Sequence, residues 1–534
     1  MKRFGAMLDC SRNAVMKVEE VKKYASILRS LGYNMLQLYT EDTYEVDGEP
    51  YFGYMRGRYT KEELKEIVAY CNSIGMEVIP CIQTLAHLNQ IFRWGDYGYI
   101  NDYGDILFVG EERTYEFIEN MFKSIRECFT SNHVHIGMDE AFMLGFGKYR
   151  KKHGQENKFD ILYKHLLRVI EIAKKYEFNP IMWSDMFFRA CNNGEYYCED
   201  PVLPKDIISI IPKEVQLVYW DYYHTEQPFY EKMMVLHKQM GETWFAGGAW
   251  TWSGFAPGNK YTFDTMLPAM RAARNNEIDN VLITMWGDDG KECSFYAVLP
   301  ALYAVRRFYD GEFDMETIKS EFEQITGESW DAFMALDKPN TVGGACGIPK
   351  KGPAKSMLYT DLFNGMYDST VKQGVAQEYA DLALELKEYG KNSKCGYLFD
   401  FMSALCDVLS VKYDLGVRSR KAYQAKDKAQ LKLILEDYKK TAEKLETFYN
   451  KFQQLWFKEN KPHGFDVQDI RLGALMQRVK ACTKRLEAYL NGEIQEIPEL
   501  QEELLDYFGG NKEFSDEMPR CSAWKAIISV NVVG

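Results

Sequence analysis

Histidine is scarce in this chain, eight residues in 534, and the twelve cysteines form no C-x-x-C pair and no metal-ligand spacing. In a chain too long to need staples, such cysteines read as free thiols in a reducing compartment. A basic excess is also missing, since 65 Lys+Arg against 78 Asp+Glu leave a formal charge of −13. That balance argues against a nucleic-acid partner, which would want a basic face. No stretch approaches the roughly 20 apolar residues of a membrane helix. The start, MKRFGAMLDCSRN, has too few apolar residues before Asp9 for a signal peptide. A cytoplasmic protein without a membrane partner is the expectation. What is present is an ordinary globular composition, 46% hydrophobic and 27% charged, long enough for two cores. An aromatic share of 14% points to a ring-lined cleft or a ring-rich core.

The first 310 residues alternate short apolar runs with segments of helical period, and the pattern repeats eight times. Strands are predicted at Phe4–Asp9, Met35–Thr40, Glu77–Ile82, His133–Asp139, Pro180–Asp185, Gln216–Asp221, Thr243–Trp250 and Val281–Trp286. Runs apolar nearly throughout suit strands covered on both faces. Eight strand-helix units predict a (β/α)8 TIM barrel over residues 1–310, with only a stub of helix, Lys205–Pro212, in the fifth unit. Residues 311–534 change texture and predict an all-α helical domain. Leu431, Leu435, Tyr438, Ala442, Leu445, Phe448, Phe452 and Leu455 step by three or four, which predicts one long amphipathic helix. Tyr379–Tyr389, Leu398–Leu415 and Ile470–Leu490 read the same way, and the Gly- and Pro-rich 337–356 reads as a loop.

A parallel barrel builds its active site at the carboxyl ends of its strands. Those ends are polar and aromatic here: Asp9-Cys10-Ser11-Arg12, Thr40-Glu41-Asp42, Gln83 with His87, Asp139-Glu140, Trp183-Ser184-Asp185, Tyr219-Trp220-Asp221, Trp250 with Trp252, and Trp286-Gly287-Asp288-Asp289. Tryptophan walls with a carboxylate rim suit sugars, which offer C–H faces for stacking and hydroxyls for carboxylates and guanidinium; Arg12, Asp221 and Asp288 could hold hydroxyls. Each Asp could instead cap the helix that follows it. The sharpest signal is HVHIGMDE, 133–140, where adjacent carboxylates in a low-dielectric site should leave one holding its proton near neutral pH, as a general acid must.

With these residues in place the chain resembles glycoside hydrolase family 20, the β-N-acetylhexosaminidases. His135-Ile-Gly-Met-Asp139-Glu140 matches the family's H-x-G-x-D-E pattern, and Asp9-Cys-Ser-Arg12, Gly57-Arg-Tyr-Thr-Lys-Glu-Glu63, Val78-Ile-Pro80 with His87, and Trp286-Gly-Asp288 match in order. The tail resembles that of compact bacterial members lacking the N-terminal domain. The resemblance implies Glu140 as general acid and then base, Asp139 orienting the acetamido nitrogen, and Tyr219 bonding the acetamido oxygen. It further implies that Arg12, Asp221 and Asp288 grip hydroxyls, with His87 beside them, and that Trp183, Trp252 and Trp286 form the pocket and platform. No cofactor and no metal are implied. The expected partner is an amino-sugar oligosaccharide, cleaved from its end, and the expected assembly a homodimer. Two departures stand out. The family's P-E-I-D-x-P-G-H reads Pro80-Cys-Ile-Gln83-Thr-Leu-Ala-His87, and the last acid is Asp288 rather than Glu.

A retaining glycosidase of the usual kind needs a second carboxylate about 5 Å from the acid, whereas family 20 uses the substrate's own acetamido oxygen. The seventh strand ends Phe245-Ala-Gly-Gly-Ala-Trp250, without a carboxylate. Three readings compete with the hydrolase. One is a catalytically weakened carbohydrate-binding barrel, suggested by the lost third-strand acids. A second is a retaining glycosidase of another family with a protein nucleophile. The third is a metal site on His133 and His135, which share a strand face but find no matching histidines on the first or fifth strand.

Overall fold

The computed structural model describes residues 2–345, 353–510 and 523–533, and the chain divides into two compact units. The first comprises Met1–Ala249, Thr262–Met285 and Leu302–Ile318, and the second Trp250–Tyr261, Trp286–Ala301 and Lys319–Gly534.

The first unit is a closed barrel of eight parallel strands: β1 Arg3–Asp9, β2 Met35–Tyr39, β3 Glu77–Cys81, β4 His133–His135, β5 Asn179–Trp183, β6 Gln216–Trp220, β7 Thr243–Gly248 and β8 Asn280–Met285. Neighbours run β1-β8-β7-β6-β5-β4-β3-β2 and close on β1. The register sets Leu8 beside Met285 and Asp9 beside Tyr39, which brings the polar ends of the strands to one face. Helices return the chain between strands. In α1, Val18–Ser30, the buried residues Val21, Tyr24, Ala25 and Leu28 make one stripe at spacings of three and four. Helix α2, Lys61–Ser73, starts in a capping box of Thr60 and Glu63, and α3 covers Glu112–Cys128. Helix α4, Lys158–Lys175, is capped by Asn157.

Two features depart from the sequence reading. Strand β4 stops at His135, four residues early, because Gly137 and Met138 take left-handed φ values of 70° and 69°. The fifth unit also holds a helix that the pattern hid: α5, Asp185–Cys191, begins two residues after Trp183, ahead of the expected stub, which forms at Lys205–Ile210. About two turns are too few for a period to register.

The second unit is mostly helical, with α6 Val375–Gly390, α7 Gly396–Lys412, α8 Leu415–Gln424, α9 Lys428–Glu459 and α10 Phe465–Asn491. The run Leu398–Leu415 is thus one helix as far as Lys412, and Leu415 opens the next. In α9 the buried stripe passes through Leu431, Ile434, Tyr438, Thr441, Leu445, Phe448, Phe452 and Leu455. Ile434 and Thr441 replace the expected Leu435 and Ala442, which flank the stripe half-buried. The replacement gives a regular three-four alternation, and the Thr441 hydroxyl is satisfied by the Asp437 carbonyl at 2.8 Å. Phe401, Phe448 and Phe452 stack with centroids 5.0 to 6.3 Å apart, each ring burying area worth about 1.5–3 kcal/mol. Of the loop at 337–356, residues 346–352 lie outside the described residues. Among the described residues no helix is long and apolar enough to cross a membrane, and the cysteines are free.

Candidate active site

The site grows from the turn after β4. Ile136 still donates to the Ile181 carbonyl at 2.8 Å, but then the backbone turns, with Gly137, Met138 and Glu140 all left-handed. Side chains hold that turn where strand neighbours cannot: His135 Nδ1 accepts the Gly137 N–H at 3.1 Å, Gln83 Oε1 accepts that of Met138 at 3.2 Å, and Asp185 Oδ2 that of Glu140 at 3.1 Å. Non-glycine residues in this region cost of order 1–3 kcal/mol each and persist only where their surroundings over-determine them.

The turn separates two adjacent carboxyls electrically. Asp139 points inward, with Oδ1 accepting from Gln83 Nε2 at 2.9 Å and Oδ2 in an ion pair with His87 Nε2 at 3.2 Å. Burial works against its charge, but His87 and the Gln83 amide outweigh it and hold the group below the usual carboxylate range. Glu140 points outward and keeps 37% of its side chain exposed. Burial first, then the Asp139 charge, push it up to about 7. His87 is raised to about 10, since Asp139 and Glu41 overcome the burial that disfavours its cation. At neutral pH the set is an imidazolium, a carboxylate and an acid half in its protonated form.

Four other residues expected from sequence, Arg12, Trp183, Tyr219 and Asp221, belong to the same unit. Arg12, on the loop after β1, lies 3.4 Å from Glu41 Oε1 and 3.9 Å from Asp9 Oδ2, and is one-third exposed. Glu41 accepts from the Tyr39 hydroxyl at 3.0 Å, and that hydroxyl accepts from Gln83 at 3.0 Å, so Arg12 and Asp139 belong to one buried network. Trp183 is fully buried, its ring against His135 at 4.4 Å. Tyr219 and Asp221 are also buried and meet each other: the Tyr219 hydroxyl donates to Asp221 Oδ2 at 2.7 Å, with His224 Nδ1 at the same distance on the same oxygen.

Trp252, Trp286 and Asp288 follow β7 and β8 and fall in the second unit. There the Thr251 hydroxyl donates to the Trp286 carbonyl at 2.7 Å, and Trp252 stacks on Trp250 at 4.0 Å, while Asp288 is exposed.

His133 and His135 do not act together. His135 is neutral, burial holding its pKa down to about 3, whereas His133 pairs with Glu77 at 3.5 Å beside Arg3. Among the described residues no group of three His, Cys, Asp or Glu is placed to hold a metal ion.

Sequence reasoning gave Asp185 no role beyond its place at the fifth strand's end, and it passed over Arg189. Asp185 is buried and accepts Arg189 Nε at 3.0 Å, and Arg189 Nη2 reaches Glu140 Oε1 at 3.9 Å. The i, i+4 acid-base spacing directly after a strand end was the available signal. Gln83 drew notice at the third strand's end and as a lost acid but was given no role, yet it touches both Asp139 and the turn.

A carboxyl of raised acidity constant beside an ionised one, on loops at the carboxyl face of a parallel barrel, is an arrangement that suits a glycoside hydrolase. Residues 3–229 match the family model described as glycosyl hydrolase family 20, catalytic domain, and residues 331–518 that of the glycoside hydrolase 20C C-terminal domain. The chain belongs to glycoside hydrolase family 20, the β-hexosaminidase family. It is 23% identical to hexosaminidase D of Homo sapiens over 366 residues, covering 63% of this chain and 70% of that protein. The solved chitobiase of Flavobacterium johnsoniae aligns with a TM-score of 0.48 and 15% identity over 85% of this chain and 78% of that one. For the exo β-N-acetylglucosaminidase of Vibrio harveyi the values are 0.46 and 14%, over 61% of this chain and 58% of that one.

Proposed function

We propose that the chain is an exo-acting, retaining β-N-acetylhexosaminidase that removes terminal β-linked GlcNAc or GalNAc from oligosaccharides with the substrate's acetamido oxygen as nucleophile. One observation carries the reading: the charge split between neighbours, Asp139 held ionised by His87 and Gln83 and Glu140 pushed up to about 7.

Glu140 gives its proton to the glycosidic oxygen as the C1–O bond breaks. The acetamido carbonyl oxygen attacks C1 and forms an oxazolinium ring, whose N–H donates to Asp139 and whose positive charge that carboxylate offsets. Glu140, now ionised, takes a proton from water as the water opens the ring at C1, which restores the acid and retains the configuration. Arg12 and Asp221 hold ring hydroxyls and Trp183 lines the acetamido side. Tyr219 has one hydroxyl proton, directed at Asp221, so serving the acetamido oxygen requires it to leave that partner when substrate arrives. The free thiols fit a reducing, cytoplasmic setting, and a homodimer completes the proposal.

The test is turnover of an aryl β-N-acetylglucosaminide. Hydrolysis blocked by an oxazoline-mimicking thiazoline and unaffected by a 2-fluoro sugar is the expected result. Trapping by the fluoro sugar would instead mean a protein nucleophile, and binding without release of the phenol a carbohydrate-binding barrel.

A further inference from the structure

The residue at the end of β3, where the family pattern has an acid, is Gln83, and it is fully buried. Its carboxamide faces three groups at once. Nε2 donates to Asp139 Oδ1 at 2.9 Å and to the Tyr39 hydroxyl at 3.0 Å, and Oε1 accepts the Met138 N–H at 3.2 Å. That orientation has no workable alternative. Turned over, the NH2 would meet the Met138 N–H, donor against donor, and the oxygen would meet the Asp139 carboxylate, acceptor against acceptor.

The turn is built to receive this side chain. A Cβ on Gly137 would run into the Gln83 amide oxygen, and φ at Gly137 is +70°. Only glycine meets both demands. The network also has a fixed direction: Gln83 donates to Tyr39, Tyr39 donates to Glu41 at 3.0 Å, and Glu41 faces Arg12. An amide cannot take or lose a proton here, so Asp139 meets a permanent donor.

We propose that Gln83 is a positioning residue for the hydrolytic reaction: it locks the turn carrying Asp139 and Glu140, turns Asp139 Oδ2 towards His87, and does so as a neutral donor whose effect does not change with pH. This rests on the roles given above to Asp139 and Glu140. The functional consequence lies in the alkaline range. An acid at this position can donate to Asp139 only while protonated, and once ionised it faces another carboxylate.

Two variants of the full chain test this with an aryl β-N-acetylglucosaminide. Gln83→Glu has the same shape and can imitate the amide only while it holds its proton. It is expected to be within about threefold of wild type near pH 5 and to lose activity as pH rises, its alkaline limb lying lower by about one pH unit. Gln83→Met keeps the volume without the hydrogen bonds. It is expected to lose about 10²-fold in kcat at every pH, with KM changed by less than about threefold. Thermal melts of both variants accompany the rates, and should Gln83→Met fail to fold, the pH profile of Gln83→Glu decides.

Unchanged kcat and pH profile in both variants would overturn the proposal. So would equal, pH-independent losses that track a fall in melting temperature, since the side chain would then only fill space. A wild-type chain that turns over no N-acetyl glycoside would instead sink the proposed function itself, whereas thiazoline-sensitive turnover with indifferent Gln83 variants sinks only this inference.

Discussion

Asp185 Oδ2 takes the backbone N–H of Glu140 at 3.1 Å and the Arg189 Nε at 3.0 Å, so a single buried oxygen pins the residue proposed as the acid and holds a cation beside it. The same carboxylate adds to the forces that raise Glu140, behind burial and Asp139. Asp185 therefore fixes the position of Glu140 and adds a smaller share to the shift of its acidity.

Glu140→Gln is expected to lower kcat by about 10²–10⁴-fold, the range of general acid–base catalysis. In wild type, kcat/KM should fall as pH rises through about 7, because the protonated form is the one that acts. Stability carries the same signature. The folded chain holds this proton up to about 7, against 4.5 for the free side chain, so the contribution is full below 4.5 and lost as pH rises through 7. Melting temperatures of Glu140→Gln and wild type should coincide near the acid end of that window, with the variant higher at alkaline pH. Equal melting at both ends would contradict the raised acidity constant.

Asp139→Asn should cost kcat nearly as much, and it also has a spectroscopic readout. His87 owes its cation to Asp139 and Glu41, working against burial. In wild type the pair favours folding below 6.5 and loses that contribution as pH rises through about 10. Removing the Asp139 charge lets burial prevail. The His87 imidazole, followed by NMR, should stay protonated in wild type at mildly alkaline pH and be neutral there in the variant.

How much of this was legible in the sequence depends on what each residue does. Runs buried on both faces announced all eight strands, since a parallel barrel demands them. The Asp139–Glu140 pair, proposed as catalytic, was visible because it stands where such strands end. Strand β4 misled at its far end: Ile136 and Met138 are apolar and fit a strand, yet Gly137 and Met138 reverse the backbone so that Asp139 and Glu140 can face different groups. Gln83 looked like a deletion of function because an amide has no charge to advertise. Its value lies in three hydrogen bonds, to Met138, Asp139 and Tyr39, all of them residues more than forty positions away. In α9 the stripe slipped by one residue at Ile434 and Thr441, because a threonine that bonds its own helix can face the core at little cost.

Gly137→Ala adds a Cβ against the Gln83 amide at a positive φ. The left-handed conformation alone costs about 1–3 kcal/mol for a residue other than glycine. The expected outcome is a lower melting temperature together with a larger fall in kcat than in binding, because the displaced atoms are those that aim Asp139. A double-mutant cycle separates clash from strain. Gly137→Ala combined with Gln83→Ala should lose less stability than the two single losses added, since the amide is then gone. Simple additivity would mean that the glycine is needed for φ alone.

Arg12 offers the cleanest separation of binding from chemistry. Its guanidinium reaches Glu41 and Asp9, and a third of it is open to solvent. A contact to ring hydroxyls acts in the ground state and the transition state alike, so Arg12→Ala should raise KM about tenfold or more while kcat changes less. Arg12→Lys keeps the charge beside Glu41 but not the planar fork, and should recover only part of the binding. If KM stays at the wild-type value in both variants, the hydroxyl contact falls. A loss of kcat alone would place Arg12 instead in the chain that runs through Glu41, Tyr39 and Gln83 to Asp139.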